Sequence, residues 1–135
     1  MLPTLQYVET GSAVILRVSP ELIVCRYKPG AKVDRASAQG NLQARMSLPG
    51  EVPHAVITIF PQGTEFGTSL LDLDQYATNE VAQRTRLLAF VAEDPSMDAM
   101  INLYFAHHPT TVTKRVFASE AEAMDWVLGQ LEPIG

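Results

Sequence analysis

The residues best suited to do chemistry gather around one glycine. Gly67-Thr68-Ser69 opens an apolar run, Leu70-Leu71-Asp72-Leu73-Asp74. A hydroxyl in the first turn of a helix is a natural phosphoacceptor, because a phosphate there meets backbone N–H groups and the positive dipole end. The same hydroxyls also work as plain N-caps, and capping alone accounts for them. Gly67, Thr68, Ser69 and Asp72 are thus candidates for a phosphorylated or partner-docking surface. Asp72 and Asp74 fall early in the expected helix, where negative charge is favourable. Serine-nucleophile chemistry needs a Gly-x-Ser-x-Gly elbow, and residues 67–71 read Gly-Thr-Ser-Leu-Leu, without the second glycine. Neither G-x-G-x-x-G nor G-x-x-x-x-G-K-[ST] occurs, so no phosphate-cradling loop is encoded. Glu65, Asp72, Asp74 and Glu80 offer carboxylates, but acids at a helix start are ordinarily solvated dipole partners.

Other chemistry-bearing types read as structural. Adjacent His107 and His108 point about 100° apart on a helix and chelate poorly, and a helix C-terminus favours His through the dipole. Cys25, the single cysteine, stands in an apolar run and reads as a small buried hydrophobe. No catalytic residue, metal ligand or cofactor is assigned, and the expectation is a non-enzymatic domain. A second candidate is the stripe Met97, Met100, Ile101, Tyr104 and Phe105, spaced i, i+3, i+4, i+7, i+8. Core packing explains it. The alternative is that Met97, Met100 and Tyr104 line a site for a small apolar ligand or lipid.

The elements that must position these groups follow from punctuation and period. Residues 5–10, 13–18 and 22–27 read as three strands separated by Thr10-Gly11-Ser12 and Ser19-Pro20-Glu21, an antiparallel meander. A helix spans 34–47, capped by Asp34, with Ala38, Leu42 and Met46 as its apolar stripe. Residues 55–60 (Ala-Val-Ile-Thr-Ile-Phe) form a buried central strand rich in β-branched types. Pro61, Gly63 and Gly67 break the loop after it. A helix capped by Ser69 or Thr68 then runs to about Arg84, with Leu70, Leu73, Tyr76 and Ala77 on one side. Residues 86–92 make another buried strand, and Pro95 starts the striped helix. Residues 111–117 give a half-exposed strand. Ser119 to Glu122 is a capping box opening the last helix, which buries Ala123, Met124, Trp126, Val127 and Leu131. The order βββαβαβαβα predicts an α/β (mixed α+β) fold: an N-terminal antiparallel meander continuing into a mixed sheet with crossover helices. In such sheets, ligands and partners dock at the carboxyl ends of the strands, here near 61–72.

The totals bound the rest. At 135 residues the chain reads as a single domain. A net charge of −5 with scattered basic residues gives no footprint for nucleic acid and no attraction to an anionic membrane. No charged segment followed by an apolar stretch marks a signal peptide. No apolar run nears the ~20 residues of a spanning helix. A cytoplasmic location is expected.

Val24-Cys25-Arg26-Tyr27-Lys28-Pro29-Gly30, the strand 55–60, and Arg115-Val116-Phe117-Ala118-Ser119-Glu120-Ala121-Glu122-Ala123-Met124-Asp125-Trp126 resemble bacterial SpoIIAA-like proteins, relatives of STAS and SEC14 (CRAL-TRIO) domains. The resemblance covers nearly the whole chain. It implies helices largely on one sheet face, and it matches Ser69 to the serine that a partner kinase phosphorylates in STAS-type antagonists. The acids those proteins carry near the strand end and before the serine are absent. Thr58-Ile59-Phe60 and Gly67-Thr68 stand there instead. Two functions follow as expectations. One is a regulatory domain docking an unidentified protein partner around 61–72. The other is an apolar-ligand module built on the helix 97–105. Pairing of an exposed edge strand with a second copy would give a homodimer.

Overall fold

The computed structural model describes residues 6–48, 53–74 and 79–131. In chain order it forms β1 (Gln6–Glu9), β2 (Ala13–Ser19), β3 (Leu22–Tyr27), β4 (Lys32–Val33), α1 (Arg35–Ser47), β5 (His54–Phe60), β6 (Glu65–Phe66), a 3₁₀ turn (Thr68–Asp72), α2 (Asn79–Arg84), β7 (Thr85–Ala92), α3 (Pro95–His107), β8 (Thr113–Phe117) and α4 (Glu120–Leu131). Six strands make one sheet in the order β1-β2-β3-β5-β7-β8, antiparallel from β1 to β3 and parallel from β3 to β8. The mixed α/β architecture expected from the sequence is the one observed.

The parallel half steps one way, from β3 through β5 and β7 to β8. Right-handed crossovers stepping in one direction must lie on the same face. α1, the 3₁₀ turn and α3 accordingly share one face, over a core of Ile23, Cys25, Val56, Leu88 and Phe90. α4 follows the last strand and covers the other face, packing Ala123 and Val127 on Val24, Ala55, Ile57, Ala89 and Val91. β5 lies in mid-sheet between two parallel neighbours, with both faces covered. Its near-continuous apolar run is what that position demands. The outer strands are β1 and β8, and exposed Lys114 and Arg115 on β8 oppose edge-to-edge pairing.

Local chemistry sets the helix starts. Asp34 accepts from the Ser37 backbone N–H at 2.9 Å, and the Ser37 hydroxyl accepts from the Asp34 N–H, closing a capping box. Asp94 caps α3 by accepting from Ser96 and Met97, with Pro95 in the first turn. Hydrogen bonding to the charged form holds both carboxyls below their ordinary range, Asp34 chiefly through the Ser37 backbone and Asp94 chiefly through the Ser96 side chain. A depressed folded pKa adds stability above the unfolded value and loses it as pH falls through the folded value. In paired acid titrations, the stability gap between the wild type and an Asp34→Ala/Asp94→Ala double variant should therefore be widest near neutrality and close below about pH 4. A gap independent of pH would contradict the capping role.

Three expectations about these elements need correction. The stripe of α1 is rotated: its buried residues are Ala38, Asn41 and Arg45, whereas Leu42 and Met46 are half-buried. Two polar side chains thus face inward, which the apolar spacing did not indicate. The helix expected from 68 to 84 is not continuous. It is one 3₁₀ turn that ends in extended backbone at Leu73 (φ −109°, ψ 113°), with a separate α2 beginning at Asn79. Tyr76 and Ala77 lie outside the described residues. The Glu122 carboxylate accepts from the Ser119 hydroxyl itself, while Ser119 Oγ accepts from the Glu122 N–H. A feature not anticipated is the ribbon of β4 and β6, which pairs Lys32 with Glu65 and Val33 with Phe66.

Candidate functional site

After β5 the chain turns at Pro61–Thr64, where the Thr64 N–H donates to the Pro61 carbonyl at 3.2 Å. Gly63 takes φ +86°, the left-handed value such a turn requires. β6 then binds β4, and the Gly67 N–H donates to the Val33 carbonyl at 2.8 Å. A Cβ on Gly67 would stand 3.1 Å from Asp34 Cβ and 3.2 Å from Lys32 Cε, so this glycine permits a close approach. The following 3₁₀ turn has no side-chain cap of its own. Ser69 instead caps another helix: its Oγ accepts from the Arg35 N–H at 3.1 Å, in the first turn of α1. Thr68, Ser69 and Asp72 are exposed, and Asp72 ends the turn rather than opening a helix.

The far end of this segment is tied to α3. The Tyr104 hydroxyl donates to the Leu73 carbonyl. His108 Nε2 contacts the Leu71 carbonyl, and its Nδ1 lies 3.8 Å from Asp74. His108 thus serves a structural tie rather than a helix end alone. Residues 61–74 form a strap from α1 to α3, with Thr64 and Leu70 buried.

Beneath the strap, between α1 and α3 and against the sheet, is a cavity of about 80 Å³. It brings together residues that the sequence presented as separate candidates: Phe66 and Leu70 from the strap, Met100 and Tyr104 from α3. Met97, fully buried, is not among its lining residues. Six aromatic rings line it: Tyr27, Phe60, Phe66, Phe90, Tyr104 and Phe105. Tyr27 stacks on Phe60 with centroids 5.2 Å apart, Phe66 meets Phe60 edge-on at 5.2 Å, and Phe90 meets Phe105 at 5.6 Å. Such offset and edge contacts build a continuous ring wall. Leu42 on α1, Met100 on α3 and Phe66 on β6 are only half-buried and mark where the cavity reaches the surface.

Its polar groups come from places sequence reasoning missed. Thr58 is the one half-exposed residue of β5, and it lines the cavity beside Cys25, its register partner on β3. Asn41 is held by the Thr10 hydroxyl, which donates to its Oδ1 at 2.6 Å, and by its own Nδ2 donating to Ser12 at 3.0 Å. Arg45, also buried, donates from Nη1 to Thr85 Oγ1 at 3.1 Å and to His54 Nε2 at 3.0 Å. An arginine nitrogen only donates, so His54 accepts at Nε2. The available signal was helical spacing: Ala38, Asn41 and Arg45 fall at i, i+3 and i+7 on one face.

Burial pushes the Cys25 thiol up to about 12, against a smaller opposing pull from Arg45. The thiolate is the nucleophile, so native Cys25 should resist iodoacetamide at pH 8.5 and react only at the rate of unfolding or cavity opening. Because its folded pKa is raised, its contribution to stability is intact below the unfolded value and falls away as pH rises toward 12. Alkylation as fast as that of free cysteine would contradict this burial. Among the described residues no three of His, Cys, Asp and Glu converge as a metal set, and no helix is long and apolar enough to cross a membrane.

A family model described as a domain of unknown function, DUF7793, matches residues 16–130. No curated protein and no solved structure matches. The matched span runs from β2 through α4 and includes every residue that lines the cavity.

Proposed function

The chain belongs to the DUF7793 family, and for it we propose a non-enzymatic regulatory domain that binds a small apolar molecule in the cavity between α1 and α3. The observation that carries the reading is the cavity of about 80 Å³ beneath the strap, walled mainly by apolar and aromatic side chains. The middle strand of a sheet covered on both faces should be closed along its length. Here Thr58 stays half-buried and lines the cavity. Apolar walls with few polar groups are the usual make-up of a small-molecule site. Binding is favoured over turnover because the lining pairs no nucleophile with a base: Cys25 is held as the neutral thiol, and Arg45 cannot accept a proton.

A protein partner enters through the same strap. Leu70 forms part of the cavity wall, while Thr68, Ser69 and Asp72 on the same turn face outward. Occupancy of the cavity would then bias how these three are presented, which joins the two functions expected from the sequence. The resemblance to SpoIIAA-like domains supports this part of the proposal, since STAS-type antagonists act through partners at the equivalent serine.

The test is native mass spectrometry of the protein isolated from its own cells, beside a Thr58→Ile variant. The reading predicts a retained small mass on a fraction of wild-type molecules that is absent from the variant. Equal masses in both, each matching the bare chain, would overturn it.

A further inference from the structure

We propose that the outer edge of β8, with the groove beside it, binds an extended acidic segment of a partner protein, which adds to the sheet as a further strand. This surface is separate from the cavity beneath the strap and works whether or not that cavity is filled. Three observations support it, the first being the backbone. β8 closes the parallel half of the sheet and pairs only with β7 among the described residues. Its other side presents backbone N–H and C=O groups, a ready template for an added strand.

The second observation is shape. A groove of about 320 Å³ runs between β8 and α3, with Phe90, Ile101 and Phe105 in its wall. These three residues also line the cavity beneath the strap and stand between the two hollows. Lys114 and Val116 face this side, since they lie in register with Leu88 and Phe90 of the core beneath α3. Every second side chain of a strand laid along β8 would point to the same side. An apolar one there meets Ile101 and Phe105.

The third is charge. Lys114 and Arg115 are exposed, and neither pairs with a carboxylate among the described residues. Each is held over a ring: Lys114 Nζ lies 4.9 Å from the Phe105 centroid, and Arg115 Cζ lies 5.3 Å from that of Phe117. Such contacts position a cation without neutralising it. Neighbouring residues point to opposite faces, so an added strand meets one cation on each side. The same pair selects the occupant. An antiparallel copy of β8 centred on Arg115 would set that arginine against its own counterpart, and like charges directly opposite are destabilising. An acidic strand turns the repulsion into attraction. The acid bordering the groove, Asp98, belongs to α3 and accepts from Asn102 Nδ2 at 3.1 Å. The guest's acids are thereby directed to β8 and away from α3.

Fluorescence anisotropy of the full chain tests this with a labelled peptide of about eight residues alternating glutamate with valine. Controls are the same peptide with lysine for glutamate, the same peptide with N-methylated backbone, and an oligothymidylate. The glutamate peptide should bind wild type and slow amide exchange at Thr113–Phe117. Lysine for glutamate, or N-methylation, should each weaken binding by about tenfold or more. A Lys114→Glu/Arg115→Glu protein should lose the glutamate peptide to the same extent and gain the lysine one. Equal binding of the two charge forms by wild type, or full binding of the N-methylated peptide, would overturn the inference. So would an oligothymidylate that binds more tightly than the glutamate peptide, or no binding of any probe. Should the double variant fail to fold, the peptide controls on wild type still decide.

Discussion

Thr58→Ile should make the empty protein more stable by about 1 kcal/mol while eliminating ligand binding. Removing the hydroxyl leaves no buried partner unpaired. The added methylene enters existing space and contributes about 0.8 kcal/mol of burial. Overpacking usually costs 1–3 kcal/mol in a filled core, but here the side chain points into a hollow rather than into neighbours. Isoleucine is also β-branched and suits the strand. Denaturant melts of the ligand-free proteins measure the first effect, and native mass spectrometry measures the second. A Thr58→Ile protein that is less stable than wild type by more than 1 kcal/mol would mean that the space is closed in solution.

The adjacent residue should behave in the opposite way. Ile57→Ala is expected to destabilise the fold by about 3 kcal/mol or more, within the range for truncating a large buried aliphatic. Ile57 has no exposed surface and faces α4, among Val24, Ala89, Ala123 and Val127. These neighbours lie on parallel strands and a packed helix and cannot collapse into the void. Successive residues of a strand point to opposite faces, so two adjacent positions sample the filled core and the hollow separately. The same melts report the outcome. A loss below about 1 kcal/mol would contradict the central, doubly covered position of β5.

The contrast also explains what the sequence made legible. The 55–60 run announces a buried strand because its residues are apolar or β-branched throughout. The i, i+3, i+4, i+7, i+8 stripe of α3 gives a helix with its buried face correctly aimed: Met97, Ile101, Tyr104 and Phe105 are all buried. Thr58 hid in that regularity. A threonine in a β-branched run reads as a strand former, and nothing local reports that the opposite helix leaves a gap. Asn41 and Arg45 hid likewise, because apolar periodicity is blind to polar residues that find partners only in the fold, here Ser12, Thr10, Thr85 and His54.

The strap shows a different limit. Residues 68–84 carry helix-like spacing, but the backbone leaves the helix at Leu73, whose carbonyl receives the Tyr104 hydroxyl from α3. Ser69 reads locally as a cap for its own turn, yet the N–H it receives belongs to Arg35, 34 positions earlier. Tertiary partners overrode local propensity in both cases. Gly67 and Ser69 on one side, and Met100 and Tyr104 on the other, read in the sequence as two separate candidate sites. The fold joins them around one cavity, with Ser69 on the outer side of its lid.

The presence of an open, apolar guest site beneath the strap is tested most directly by diffraction from crystals of the full chain held under xenon pressure. Dry cavities lined by apolar groups take up xenon. The account predicts a xenon atom between Thr58 on β5 and Met100 and Ile101 on α3. Side chains closed over that space, or a string of ordered waters bridging Thr58 to Asn41 and Arg45 with no xenon, would contradict it.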